Sequence, residues 1–191
     1  MQEELQSDVI KRILAGESLA NENLSNIDLS NQSLVGADLS SSDLSNANLN
    51  RADLTDANLN DADLTGADLS NATLLRTYLV GANLTETKLE NANLFGAFLS
   101  GSLLSGTNFR NADLRRATMG CPKCIPTAPF GNLTTFENAN LEEAIFGEIK
   151  LEGVVLLGAN FKDAYLYEVD LTEAIYKESD LEGAITKQGL N

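Results

Sequence analysis

The chain has 191 residues, 43% of them hydrophobic, enough for one domain with a sizeable core. Acids outnumber bases 28 to 13, a formal net charge of −15, and histidine is absent. Such a field repels nucleic acid and favours basic partners, and no side chain is left whose ordinary pKa lies near neutrality for proton transfer.

The start, Met1-Gln2-Glu3-Glu4, has neither the basic residues nor the apolar stretch of a signal peptide. No apolar run approaches the length that spans a bilayer, so a cytoplasmic location without membrane contact is expected. Leu5, Val9, Ile10, Ile13 and Leu14 fall on one helical stripe, and Gly16 is a natural stop. The spacing predicts a helix over 3–15, within an N-terminal unit 1–16, laid as a cap over the residues from 17 onward. Its mixed charges and short stripe argue against an amphipathic membrane anchor.

From Leu19 to Leu104 every fifth residue is leucine, and the register continues through Phe109, Leu114 and Met119. Two residues before most of these stands alanine, as at Ala37, Ala47, Ala52, Ala57 and Ala62. A period of five fits neither a helix nor a simple strand. It fits a short extended piece plus a corner: Ala and Leu point inward, the polar residue between them points out, and the next two residues turn. The position two after the large residue is Asn or Gly in 13 of 21 cases, the residues that best tolerate the positive φ of a type II turn. Four corners close a square coil and place residues 20 apart above one another.

The run Ala52-Asp53-Leu54-Thr55-Asp56-Ala57-Asn58-Leu59-Asn60 resembles the pentapeptide repeat family. The resemblance implies an all-β fold, a right-handed quadrilateral β-helix with one repeat per side. The block 17–119 is its first part. A second block, 136–187, resumes at Phe136 and runs through Leu141, Phe146 and onward to Thr186, making about eight coils in all. There Ile149, Val154 and Val169 replace alanine and Glu replaces many corner residues, so a different turn type is expected more often. The tail 188–191 is too short for a long helix, so a partner chain is expected to cap that end.

Between Met119 and Phe136 lie 16 residues where four would continue the pattern. An excess of 12 predicts a loop, within 120–135, that holds all three prolines and the pair Cys121 and Cys124. A zinc site needs about four ligands. With no histidine and no third cysteine, two chains would each have to bring two thiolates. A thioredoxin-type role needs a βαβ setting that is missing. The plain expectation is a turn carrying two thiols, with a candidate disulfide between Cys121 and Cys124 under oxidising conditions, and no metal or cofactor.

Stacking by 20 also maps the outside. Leu75 falls below Phe95 and Tyr78 below Phe98, with Val80 and Leu103 beside them, a candidate interaction patch. Ile125 and Phe130 of the loop are the alternative, an internal cover for that patch. Ile145, Tyr165 and Ile185 stack near the C-terminal end, with Val155 and Ile175 on another side, and suggest a homodimer through that end. The acidic surface concentrates after Phe136, with Glu143 over Asp163 and Glu148 over Glu168: 12 acids against 4 bases.

No nucleotide loop, nucleophile elbow or metal cluster is present, so the chain is read as non-enzymatic. Asp53, Asp56, Asp61, Asp63 and Asp68 occupy ordinary polar slots of the repeat. The leading expectation is a rigid scaffold that docks an unknown protein partner along a flat side or at an end. The leucine-dominated repeats look most like cyanobacterial sets, whose members are linked to differentiation or stress. Some members of the family imitate DNA and inhibit type II topoisomerases. By that resemblance the alternative is a DNA-mimicking inhibitor of DNA gyrase, although the phenylalanine-rich core and C-terminal dimerising helix typical of that group are not evident.

Overall fold

A computed structural model describes residues 2–120 and 134–186; Cys121, Cys124 and the tail from Lys187 lie outside the described residues. The pairing distance of 20 is seen directly. Leu44 N–H donates to Asp63 O at 2.7 Å, and Asp63 N–H donates to Ser42 O at 2.9 Å. Parallel bridges of this kind climb four sides and close the right-handed quadrilateral β-helix. Inside, every large residue from Leu19 to Met119 is at most 2% exposed, Leu44 and Leu64 included. Alanine fills most of the narrow inner slots between them, and Ile27 is a larger group buried in one.

Corners follow position rather than residue type. From Asn21 to Arg116 the residue two after each inner leucine has positive φ, and Ser41, Arg51, Arg76 and Glu86 adopt it as readily as Asn or Gly. The turn closes through a bond such as Ala47 N–H to Leu44 O, 3.0 Å. Its outward N–H has no rung partner, and the outward Asp or Asn supplies one: Thr55 N–H donates to Asp53 Oδ1 at 3.0 Å, and Ser30 N–H to Asp28 Oδ1 at 2.9 Å. The alternation of Asp/Asn with Ser/Thr thus satisfies the backbone at the corners.

The same left-handed φ recurs in the second block at Glu143, Glu148, Glu168 and Glu173, so glutamate by itself does not exclude the corner conformation. Two corners do differ. At Gly147 and Tyr167 the strand runs one residue further, so the four-stranded parallel sheet comprises β1 (Thr118–Gly120), β2 (Ile145–Gly147), β3 (Tyr165–Tyr167) and β4 (Ile185–Thr186). Beyond Tyr176 the repeat yields to a 3₁₀ turn, Glu178–Leu181, where Lys177 N–H donates to the Asp180 carboxylate at 2.8 Å.

The insertion behaves differently from the count of 12. A pure insertion would set Phe136 above Leu104. Instead Phe136 stacks on Phe109, rings 4.7 Å apart and within 3° of parallel, and Met119 pairs with Phe146. The offset across this region is therefore 27 residues, one coil plus seven. Around the join Phe109, Phe136, Phe146 and Phe161 form a buried aromatic group.

Helix α1, Gln2–Leu14, lies against the first coil with Val9 buried and Ile10 and Ile13 half-buried on the core. Leu14, expected on that stripe, is 76% exposed, because the chain is already leaving the helix there. Gly16 takes φ 72°, Gly16 N–H donates to Ile13 O and Glu17 N–H to Arg12 O, a Schellman stop that only a residue at ease with positive φ allows cheaply. Arg12 ties helix to coil through Glu17 and Glu22 at 3.3 and 2.9 Å. At the other end Val169, Leu171, Ala174 and Ala184 are only half-buried. No helix among the described residues is long and apolar enough to cross a membrane.

Candidate interaction surface

One side of the shaft carries Leu19, Leu39, Leu59, Leu79, Leu99 and Met119 on its inner column. Its outward column begins polar, with Ser18, Asp38 and Asn58. At the fourth coil it becomes aromatic: Tyr78 and Phe98 are bridged and stacked, rings 5.0 Å apart and 11° from parallel. Coil spacing of ~4.8 Å imposes that geometry on any two rings in one column, and the stack contributes roughly 0.5–1.5 kcal/mol. Both rings are exposed, as is Val80 next to Tyr78.

Leu75 and Phe95, the other two members of the expected patch, sit at the preceding corner and are half-buried. Phe95 is covered: the Arg115 and Arg116 guanidinium carbons each lie 5.6 Å from its ring centre. The patch is therefore reduced to Tyr78 and Phe98, with Phe95 serving as a platform for cations. A covering role for Ile125 and Phe130 falls outside the described residues.

The corner above Phe95 is a ladder of opposite charges. Arg115 holds Asp113 at 2.7 Å, Arg116 bonds Glu143 across the insertion and Lys162 reaches Glu142 at 3.1 Å, while at the neighbouring corner Arg110 bonds Glu137. The Arg116 side chain holds the Glu143 carboxyl below its ordinary range, and Arg115 does the same for Asp113. Lys162 is pushed up by its bond to Glu142. Glu143 and Asp163 do share a corner, as expected, but this stretch of the acidic surface is largely neutralised. Glu148 and Glu168 differ. They occupy the opposite corner of the same side, and among the described residues neither has an ion-pair partner.

Most Asp residues of the first block, Asp61 excepted, are engaged in turns or ion pairs. Asp53 and Asp63 each accept from a threonine N–H and hydroxyl, and Asp56 is gripped by Arg76 through two bonds at 2.8 and 2.6 Å. Among the described residues no group of three or more His, Cys, Asp or Glu is placed to hold a metal, and no buried side-chain nitrogen or oxygen lacks a partner. Thr77, Thr87, Ser102 and Thr107 show how: standing in alanine slots, each donates its hydroxyl at 2.8 Å to a leucine carbonyl of the coil below.

A sequence model of pentapeptide repeats matches residues 23–61, 62–101, 92–120 and 135–173, in eight copies. The chain belongs to the pentapeptide repeat family. Among solved structures this pentapeptide repeat protein is similar to HetL, a pentapeptide repeat protein involved in heterocyst differentiation regulation from the cyanobacterium Nostoc sp. strain PCC 7120. The two share 28% identity over 96% of this chain and 98% of that one, with a TM-score of 0.36. Full-length QnrB1, a plasmid-mediated fluoroquinolone resistance protein, shares 16% identity over 87% of this chain and 84% of its own, with a TM-score of 0.38. A pentapeptide repeat protein of the Arabidopsis thaliana thylakoid lumen shares 26% over 72% and 70%, TM-score 0.28. No curated protein matches the sequence.

Tyr167 escapes a reading by sequence. It stands two residues beyond Tyr165, which on an extended strand means the same face, but the repeat pattern assigns its position to a corner. The longer strands of the second block bring it out beside Tyr165, with 36% of its surface exposed. The cationic cover over Phe95 is equally hidden, since Arg115 and Arg116 occupy slots where the repeat tolerates almost anything.

Proposed function

We propose that this pentapeptide repeat protein is a non-catalytic scaffold that binds a protein partner along the side bearing Tyr78 and Phe98. The exposed stacked ring pair carries this reading. Monomeric proteins seldom leave contiguous apolar groups in water without a use, and aromatic anchors supply much of the energy at protein interfaces. A shaft held by rungs on all four sides keeps those rings at fixed spacing, so little ordering entropy is lost on docking. The test is affinity capture from the native host with the whole chain, compared with a Tyr78→Asp plus Phe98→Asp variant. Capture that the double variant abolishes supports the scaffold. Capture of nothing, or equal capture by both proteins, overturns it.

A second reading, inhibition of DNA gyrase by DNA mimicry, draws on the net charge of −15 and on Glu148 and Glu168, which no cation neutralises among the described residues. Against it stands the charge pairing of Glu142 and Glu143 at one corner and of Glu137 at the next, since a mimic of the phosphate line needs free charge at close intervals. Inhibition of supercoiling that disappears on reversing Glu148 and Glu168 to lysine would favour mimicry over the scaffold.

A further inference from the structure

The seven-residue offset joins two surface groups that sequence counting leaves unconnected. Thr118 pairs upward with Ile145, Ile145 with Tyr165 and Tyr165 with Ile185, while below it pairs through Phe98 to Tyr78. Tyr78, Phe98, Ile145, Tyr165 and Ile185 therefore form one outward column on one side, interrupted only by Thr118, each 36–51% exposed. Five steps at ~4.8 Å make it about 24 Å long, and it is a single side chain wide.

We infer that this column is the docking line for an amphipathic helix of a partner protein, with cations along one flank of its apolar stripe; the inference rests on the scaffold reading and specifies its ligand. Spacing selects the helix. Laid along the shaft, a helix brings a residue to the contact line about every 5.4 Å, close to one per rung, and about 16 residues cover the column. An extended strand offers one same-face residue every ~6.7 Å and loses register within two rungs. Width agrees, because a narrow stripe matches a helix better than a broad globular face. Charge selects the flank. Along one edge run Glu148 and Glu168 without ion pairs among the described residues, and along the other the acids are matched by Arg115, Arg116 and Lys162. A second copy of this chain fits poorly, since it brings a net charge of −15 of its own to the same edge.

The test selects a display library of random 16-residue peptides against the full chain and measures the winners by fluorescence anisotropy. Winners with apolar residues at i, i+3 or i+4, and i+7, and lysine or arginine beside that stripe, are expected. Their affinity should fall at least tenfold with Tyr165→Asp and again with Phe98→Asp, and several-fold with Glu148→Lys plus Glu168→Lys, while circular dichroism melts of these surface variants stay close to the parent. Winners with apolar residues at every second position, winners without cationic bias, binding indifferent to Tyr165 and Phe98, or no winners would each overturn the helix. If host capture through Tyr78 and Phe98 succeeds while the peptide selection fails, the scaffold stands and the helical ligand alone is lost. Failure of host capture removes the scaffold itself.

Discussion

The two blocks of the shaft solve one packing problem in different ways. Between Leu19 and Met119 the interior is nearly monotonous, leucine alternating with alanine or a hydroxyl residue, and the outside of the Tyr78 side starts with Ser18, Asp38 and Asn58. Above the insertion the interior takes Phe136, Phe146 and Phe161 with Ile149 and Val154 in the small slots, all buried, and the same side turns apolar. The backbone scarcely registers the change: rungs, corners and left-handed φ values persist even where Glu replaces Asn. What the coil demands is inward bulk and outward polarity at the corners; which residues deliver them is negotiable.

The largest expected effect lies in the regular block. Leu64→Asp removes a fully buried side chain and buries a carboxyl without a partner, so it should cost more than about 5 kcal/mol by the sum of lost burial and polar desolvation. The same change at half-buried Leu171 in the last coil should cost less than half as much. Equal losses in urea melts would erase the distinction between a continuous core and an open-ended one. Phe136→Ala should come next, at about 3–5 kcal/mol, because it deletes the ring that couples the blocks across the insertion. A melt that separates into two transitions in this variant would show that the blocks then unfold independently.

Smaller effects probe the details. Thr107→Val keeps the shape but removes the hydroxyl bonded to the Leu84 carbonyl, an expected loss of about 1 kcal/mol. Glu173→Gly should raise stability by about 0.5–1 kcal/mol, since φ 65° strains a residue with a Cβ; no gain in the melt would mean the corner strain is relieved elsewhere. Acid should act on both blocks. Asp28 is held below its ordinary pKa by the Ser30 N–H, Asp38 by the Ser18 hydroxyl and Asp170 by the Thr172 hydroxyl. A depressed folded-state pKa means the unfolded chain binds protons first, so stability is full above about pH 4 and falls as the pH drops through the folded-state values. Constant stability from about pH 5 to about pH 2 would remove the carboxylate caps from the account.

Most of the fold is legible in the sequence because the period is self-checking: a leucine out of register shows at once. Inner columns, corner positions and the pairing of Tyr78 with Phe98 all come from counting by 20. Counting stops at the insertion. Sixteen residues between Met119 and Phe136 are compatible with either zero or one traversed side, and nothing periodic in the intervening prolines decides between them. By counting alone, the candidate surface consequently reads as two unrelated patches. Pairings such as Arg116 with Glu143 are illegible for the same reason, their partners being fixed by an offset of 27 and not 20.

The join also separates two quantities that ordinary repeats keep locked together, chain length and rotational phase. A connection that covers one side leaves every higher residue facing as before, whatever its own length. Removing a single five-residue unit between Phe98 and the join, by contrast, would wheel the entire upper half through a quarter turn, swinging Tyr165 around the axis away from Phe98. Small genetic deletions in this protein would therefore act less as truncations than as rotations.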